Sequence, residues 1–343
     1  MNKLSIIMPF CNEYPQVVFT VQIVWNELKK AFSNQNFELI IIDNFCDSVT
    51  KQKTGEEFCP NCMSTFKKFR TRDKGSDFLR KQSKLIPQIK YIAYNKKLSH
   101  WNAKNVGVAN STGDVLLFLD AHVVPSSNSI KEMFEYYITH YEELNGTLHL
   151  PLAYLLAAPG TELIYNFVSN PDKGYYHYSF AGYRREEKPY KVAAMSTCGM
   201  MMSREIFDKL GGWPSELGIY GGGENFINFT LAVLGMNKYI MTTGPLYHYA
   251  DTRGYEWNYD DFIRNRTIAT YIFAGEEAAY KFVQNCRGNK NILENIYKDA
   301  IVKTKNHREY IKERQQISIK EWMIKIQKEG LWDGKLSNKE WVD

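Results

Sequence analysis

The sequence contains no apolar run near the roughly 20 residues that a membrane-spanning helix requires. Its longest apolar stretch, residues 148–158, is interrupted by Pro151 and Tyr154 and is better explained as buried core. The N-terminus leaves no room for a signal peptide, because the first three residues lead directly into residues 4–8, a short apolar run typical of a buried strand. These absences predict a soluble, cytoplasmic protein.

Cysteines are also few, and the six in the chain do not form the pattern of a secreted disulfide framework. Cys59 and Cys62 have the spacing of a zinc knuckle, and Cys46 could supply a third thiolate. No histidine lies between Cys46 and Lys90 to complete such a site. Structural zinc on these three cysteines and reduced cysteines in a loop are therefore both open interpretations.

The chain has no strong excess of charge, since its net charge is +5. The charge is nevertheless uneven, because residues 67–90 include nine Lys or Arg and only two Asp. The field of such a segment would attract a polyanion such as nucleic acid. A solvated surface segment explains the same composition equally well.

The first half of the chain alternates short apolar runs with segments of helical periodicity. Helical spacing occurs over 17–31 and 102–110, between apolar runs at 4–8, 37–42, 89–93 and 115–119. This alternation predicts an α/β fold, Rossmann-like, with a mostly parallel sheet and helices on both faces. Ligands bind beyond the carboxyl ends of such strands. We therefore expect the polar residues that follow these ends, Glu13, Asp43 and Asp120 to His122, to meet at one edge.

The domain organisation follows from two departures from this alternation. Residues 46–88 are too long for an ordinary connection between a strand and a helix, and they predict a basic accessory insertion that contains the candidate zinc cysteines. Beyond residue 259 the pattern becomes helical and strongly charged. We predict an α/β domain over residues 1–258 that carries the insertion, and a C-terminal helical extension over residues 259–343.

The tripeptide Asp120-Ala121-His122 directly follows the apolar run at 115–119. A single residue between Asp120 and His122 lets both side chains face the same side of an extended segment. A carboxylate and an imidazole in that arrangement suit Mn²⁺ or a neighbouring divalent ion. Asp-x-His tripeptides are common by chance, but the position after a buried strand and opposite Asp43 favours a metal site.

Four motifs occur in an order that resembles the family 2 glycosyltransferases, which have the GT-A fold. They are PFCNE (9–13), IID (41–43), TGDVLLFLDAH (112–122) and GGEN (222–225). The set is most similar to the polypeptide N-acetylgalactosaminyltransferase branch, whose metal motif is Asp-x-His. The likeness extends over residues 4–254. It implies a GT-A glycosyltransferase domain over residues 1–258.

The resemblance also implies roles for individual residues. Three kinds of site are implied: a nucleotide site of Pro9, Phe10, Glu13, Asp43 and Asp120, with Lys97 and Lys104 near the diphosphate; a metal site of Asp120, His122 and His248; and a catalytic group of Glu224, Asn225 and Asp120. The two lysines stand where the family carries arginines, so they keep the charge but lose a bidentate contact.

The implied function is transfer of a hexose or N-acetylhexosamine from a UDP-sugar to an acceptor hydroxyl, with Mn²⁺ or Mg²⁺ as cofactor. The branch resemblance favours retention of the anomeric configuration. Alternatives are an inverting glycan or glycolipid transferase, and a nucleic-acid-binding enzyme that glycosylates hydroxylated bases in DNA. The acceptor is left open between protein, glycan and modified DNA.

Overall fold

A computed structural model describes residues 3–32, 36–46, 72–154, 162–249 and 257–334, and the backbone of 57–59 and 64–66. The strands are β1 (Leu4–Phe10), β2 (Phe37–Asn44), β3 (Glu57–Cys59), β4 (Ser64–Phe66), β5 (Ile89–Tyr94), β6 (Val115–Phe118), β7 (Val123–Pro125), β8 (Gly146–His149), β9 (Leu152–Tyr154), β10 (Leu163–Asn170), β11 (Tyr175–Gly182), β12 (Tyr190–Lys191), β13 (Met200–Ser203), β14 (Asn237–Ile240) and β15 (Leu246–His248). The helices are α1 (Gln16–Ala31), α2 (Lys74–Leu85), α3 (His100–Ala109), α4 (Ser129–Thr139), α5 (Tyr141–Leu144), α6 (Arg204–Leu210), α7 (Gly223–Val233), α8 (Tyr259–Ala274), α9 (Glu276–Asn285), α10 (Lys290–Arg314) and α11 (Ile319–Lys328).

The central sheet has eight strands in the order β12-β14-β8-β13-β6-β1-β2-β5. β6, β1, β2 and β5 run parallel to one another, and every residue of β1 and β2 is buried. Continuous apolar strands of this kind are stable when helices cover both faces of the sheet. The predicted α/β fold is confirmed, and β13 adds an antiparallel strand in the middle of the sheet.

A second sheet was not predicted. It has five strands in the order β11-β10-β9-β15-β7. β15 runs antiparallel to β7 and parallel to β9, which places His248 between Val123 and Tyr154. Aromatic residues occupy both faces of β11, so the alternation of apolar and polar residues that marks a half-buried strand is weak there.

The predicted C-terminal helices are present, and they share their core with the α/β part. The Trp322 ring of α11 lies 5.0 Å from the Phe167 ring and 6.0 Å from the Phe229 ring, measured between centroids. All three belong to the hydrophobic cluster that also contains Ile7 and Phe118 of the central sheet. A domain boundary at residue 258 would divide this core.

The predicted insertion at 46–88 is shorter than expected, because α2 is an ordinary crossover helix between β2 and β5. It packs against α1 and β5, and the Asp73 side chain caps its N-terminus by accepting from the Gly75 amide. Few apolar residues of α2 are buried, since Leu79 is joined only by Gly75 and Ser76. The stretch therefore offers few apolar residues from which a helix could be recognised in the sequence. β3 and β4 form a separate antiparallel pair.

Within the described ranges, no helix combines the length and the apolarity that crossing a membrane requires.

Candidate active site

A cavity of about 570 Å³ lies beyond the carboxyl ends of β1, β2 and β6. This is the edge at which parallel α/β sheets bind ligands. The sheet contributes the Pro9 to Cys11 segment, Asn44 and Asp120, and the second sheet and the N-terminus of α7 form the opposite wall. Seven residues that the sequence predicted lie in the wall: Pro9, Phe10, Glu13, Asp120, His122, Glu224 and His248.

Three of these residues form a compact cluster of ligand atoms. One ligand atom each from Asp120, His122 and His248 lies within 4.8 Å of the others. His248 Nε2 is 3.4 Å from Asp120 Oδ2, and the two imidazole rings are 4.7 Å apart. The pairing of β15 with β7 causes this proximity, because it places His248 opposite Val123, the neighbour of His122.

The cluster fits a divalent metal ion. Asp120 Oδ1 and His248 Nδ1 are buried and have no hydrogen-bond partner among the described residues, a costly arrangement for polar atoms. Burial alone would raise the pKa of Asp120, but the hydrogen bond with His248 and the nearby charge of Lys104 hold it well below its usual value. Asp120 is therefore an ionised carboxylate beside two imidazoles. Such a mixed oxygen and nitrogen set suits Mn²⁺ or a neighbouring ion.

Glu13 contacts this cluster directly. Its Oε1 lies 2.6 Å from His122 Nδ1, and its Oε2 accepts a hydrogen bond of 3.1 Å from the Cys11 amide. The resemblance implied a nucleotide contact for Glu13. In the structure the carboxylate contacts His122, a residue of the candidate metal site.

His100 is a cavity residue that the sequence reasoning missed. It is the first residue of α3, and its Nε2 lies 3.6 Å from Asp120 Oδ1. The available signal was its position after Ser99, which caps α3 by accepting from the Asn102 amide at the same edge of the sheet. Asp120 is thus flanked by three imidazoles, those of His100, His122 and His248.

Glu224 reaches the cavity from the first turn of α7. Its Oε1 accepts hydrogen bonds from the Thr197 amide at 3.2 Å and the Ser196 hydroxyl at 3.3 Å, and its Oε2 accepts from the Tyr178 hydroxyl. The neighbouring Asn225 was expected in the catalytic group, but its side chain does not face the cavity. Its Nδ2 donates to the Tyr176 carbonyl at 2.8 Å, because the helix turns its side chain toward β11.

Glycines allow the approach of α7 to its neighbours. Gly222 has φ of +73°, and a Cβ at this position would lie 2.3 Å from the Asn265 carbonyl oxygen. A Cβ on Gly223 would meet the Trp101 ring at 2.2 Å. The GGEN motif therefore contains glycine for two reasons, a left-handed backbone and a close contact. Together they set the position from which Glu224 enters the cavity.

The two predicted diphosphate lysines lie outside the cavity wall. Lys104 is fully buried, where its Nζ donates to Thr197 Oγ1 at 3.0 Å beneath the wall. Burial lowers the pKa of Lys104, an effect that the charge of Asp120 opposes. Lys97 Nζ donates to the Ser215 and Glu216 carbonyls, at 3.0 Å each. Both ammonium groups are held by the protein, so neither reaches the cavity in this structure.

Asp43 also lies behind the wall. It is buried, and its Oδ2 accepts from Arg72 Nε at 2.9 Å and from the Tyr91 hydroxyl. Asn44 takes the place in the wall that was expected for Asp43. Arg72 belongs to the basic segment 67–90. Lys90 of the same segment forms a similar ion pair with Glu38, at 2.8 Å. Two of the nine basic residues are thus engaged with buried carboxylates.

The zinc interpretation falls mostly outside the described residues. Cys46 is described and is buried. Cys62 and the side chain of Cys59 lie outside the described part of the chain.

Aromatic side chains of the second sheet line the cavity beside the candidate metal site. The Tyr165 and Tyr178 rings stack with centroids 4.3 Å apart, and the Tyr154 ring lies 5.1 Å from His248 and 5.4 Å from Phe180. These aromatic residues were not among the predicted site residues. The usable signal was that Tyr178 and Phe180 stand two apart in one strand and so share a face.

Comparisons with known proteins agree with this geometry. Residues 70–211 match the family model described as Glycosyl transferase family 2. No curated protein sequence matches the chain. A crystal structure of GalNAc-T7 with UDP, GalNAc and Mn²⁺ is similar with a TM-score of 0.64 and 15% identity, over 96% of this chain and 57% of that one.

The chain thus spans little more than half the length of that protein. Staphylococcus aureus TarS 1-349 is also similar, with a TM-score of 0.51 in its complex with UDP-GlcNAc, at 11% identity over 89% of this chain and 73% of that one. Its complex with UDP gives a TM-score of 0.50 at the same identity, over 89% of this chain and 72% of that one. Residues 70–211 therefore resemble a glycosyltransferase family 2 domain, and the similar structures indicate a GT-A fold.

Proposed function

We propose that the protein is a metal-dependent glycosyltransferase that moves a hexose or N-acetylhexosamine from a UDP-sugar to an acceptor hydroxyl. The observation that carries the proposal is the convergence of Asp120, His122 and His248 on a cavity that also contains Glu224. Similar structures contain UDP with Mn²⁺, or UDP-GlcNAc, which supports this choice of donor and cofactor.

In the proposed reaction, the bond between the anomeric carbon and the diphosphate oxygen breaks, and its electron pair leaves with UDP. The acceptor oxygen forms the new bond, and its proton passes to the departing UDP. A divalent ion, when bound, supplies positive charge that offsets the charge developing on the leaving group. Asp120, His122 and His248 would hold that ion, and three protein ligands leave positions open for substrate oxygens.

The remaining site residues would orient the substrates. Donors from Tyr178, Ser196 and Thr197 fix the Glu224 carboxylate, which suits it to hold sugar or acceptor hydroxyls in one position. The buried Lys104 would add positive charge behind Asp120 without contacting the substrate. The stacked aromatic wall would exclude water from one side of the sugar. We infer retention of configuration from the branch resemblance.

A screen for UDP release tests the proposal. Several UDP-sugars are offered with Mn²⁺ or Mg²⁺, each with peptide, glycan and hydroxymethylated-DNA acceptors. We expect UDP release with at least one pair, its loss on adding EDTA, and its recovery with excess Mn²⁺. Nuclear magnetic resonance of the product then gives the anomeric configuration. Absence of both transfer and donor hydrolysis with every pair would contradict the proposal, and EDTA-resistant transfer would contradict the metal requirement.

A further inference from the structure

We propose that Glu13 is a positioning residue of the metal centre, which holds His122 so that its Nε2 faces Asp120 and His248. The inference rests on the metal site of the proposed function, but not on the sugar or on the acceptor. It assigns to the loop after β1 a task distinct from holding the nucleotide. The argument depends on the contact of 2.6 Å between Glu13 Oε1 and His122 Nδ1.

This contact determines which imidazole nitrogen is available to a metal ion. An ionised carboxylate can only accept hydrogen bonds, so His122 Nδ1 carries the hydrogen and donates it. Nε2 then keeps its lone pair, as a metal ligand must. A carboxylate behind a histidine ligand also fixes the orientation of the ring and raises the basicity of its other nitrogen.

Glu13 is itself fixed in place. Its second oxygen accepts from the Cys11 amide at 3.1 Å, and its carbonyl accepts from the Val17 amide at 2.9 Å in the first turn of α1. The preceding residue, Asn12, has φ of +52°, which turns the chain so that Glu13 faces inward. The carboxylate that meets His122 is thus held by the backbone of its own loop.

The other two candidate ligands, Asp120 and His248, lack a hydrogen-bond partner of this kind within the described ranges, which makes the role of Glu13 distinct. His248 Nδ1 is buried and has no hydrogen-bond partner among the described residues. Asp120 Oδ1 has His100 Nε2 at 3.6 Å, beyond hydrogen-bond distance. In the described part of the chain, only His122 has a carboxylate within hydrogen-bond distance of the nitrogen that faces away from the cluster.

Titration with Mn²⁺ alone tests the inference without any turnover. Electron paramagnetic resonance of the free ion measures how much Mn²⁺ is bound. Glu13→Ala should weaken Mn²⁺ binding by about 10- to 100-fold, the usual cost of losing such a partner. Glu13→Gln keeps an acceptor oxygen at the same position and should recover most of that loss. Glu277→Ala removes an exposed carboxylate on α9 and serves as the matched control.

Calorimetry with UDP in the presence of EDTA separates positioning from nucleotide contact. Glu13→Ala should leave this metal-free affinity unchanged. A loss of metal-free UDP affinity with normal Mn²⁺ binding would overturn the inference in favour of a nucleotide contact. Wild-type protein that binds no Mn²⁺ would overturn it as well. If the variants change Mn²⁺ binding as predicted but no sugar transfer is found, the inference is supported and only the proposed function is contradicted.

A measurement on the wild-type protein covers the case in which Glu13→Ala fails to fold. Nitrogen-15 resonance of the histidine side chains reports which ring nitrogen carries the hydrogen. We expect His122 to be protonated at Nδ1 with Nε2 bare, and the Nε2 signal to broaden first on adding Mn²⁺. A hydrogen on Nε2 of neutral His122 would contradict the inference.

Discussion

His248 Nε2 lies 3.4 Å from Asp120 Oδ2, although 128 residues separate them in the sequence. The short strand β15 causes this proximity, because it inserts between β7 and β9 and ends with His248 at the cavity. A histidine on a paired strand has little freedom to move away. The site can therefore be tested by removing a single imidazole.

We predict that His248→Ala weakens Mn²⁺-dependent UDP binding by at least about tenfold, because the cluster retains only two ligands. Transfer should be nearly abolished. Calorimetry with and without Mn²⁺ measures the first effect, and UDP release measures the second. His140→Ala, at the end of α4, is the control. Unchanged Mn²⁺ dependence in His248→Ala would show that the third ligand lies elsewhere.

Glu224 is the carboxylate whose charge we expect to matter most for the rate. Glu224→Gln preserves its shape but removes the charge, and loss of substrate positioning can cost about 10²-fold in rate. We predict a fall of that order in kcat with little change in Mn²⁺ affinity. Tyr178→Phe, which removes one donor to Glu224, should lower kcat by a smaller factor.

The comparison variant is Glu186→Gln, which changes an exposed carboxylate between β11 and β12. Steady-state kinetics on the donor found in the screen separate kcat from KM. If Glu224→Gln retained full kcat, the carboxylate would have only a structural role in holding Ser196 and Thr197. Equal losses of Mn²⁺ affinity and of kcat would place Glu224 in the metal site instead.

Glu38 should make the stability of the protein depend on acidic pH. Burial alone would raise its pKa, but hydrogen bonds from Lys90, Ser5 and the Thr112 amide lower it to about 2. Because the folded pKa is depressed, the stabilisation is fully present above the unfolded value near 4.5 and is lost as pH falls toward 2. We expect it to amount to about 2 kcal/mol, since solvent screens Lys3 and Lys90.

Urea unfolding at several pH values measures this contribution. Between pH 5 and pH 3, about where the unfolded carboxyl titrates, the free energy of unfolding should fall less steeply in Glu38→Gln than in the wild type. Glu142→Gln, on exposed α5, is the control. Parallel pH dependence in wild type and Glu38→Gln would show that other carboxylates account for acid unfolding.

The parallel half of the fold was predictable from the sequence, because β1, β2 and β6 are buried on both faces and therefore read as continuous apolar runs. The polar residues after β1 and β6 converged as expected, which brought Glu13, Asp120 and His122 together, but Asp43 of β2 did not join them. That result follows from topology alone. The second sheet was not predictable in the same way, since three of its strands have only three residues each and β11 is aromatic on both faces.

The directions of individual side chains could not be predicted. Lys104 and Asn225 stand at the positions expected for site residues, but helix geometry turns them toward Thr197 and the Tyr176 carbonyl. Asp43 and Asn44 are adjacent in β2, so the alternation of a strand allows only one of them to face the cavity. The position of His100 in the cavity depends on α3 starting directly after Ser99, a boundary that periodicity places only within a few residues.

The final prediction concerns the C-terminal helices, whose core continues that of the glycosyltransferase domain. Trp322 is buried against Phe167 and Phe229, and its indole also lies 5.1 Å from Lys238 Nζ. Trp322→Ala should lower the free energy of unfolding by about 3–5 kcal/mol, the usual cost of removing a buried large aromatic side chain. Ile324→Ala, on the same helix but 46% exposed, should cost much less.

Urea unfolding monitored by circular dichroism compares the two variants. A separable extension would instead give a normal main transition in Trp322→Ala, with only a small early loss of helical signal. We expect a single transition at lower urea, because removing Trp322 opens a cavity against Phe229 of α7, the helix that also positions Glu224.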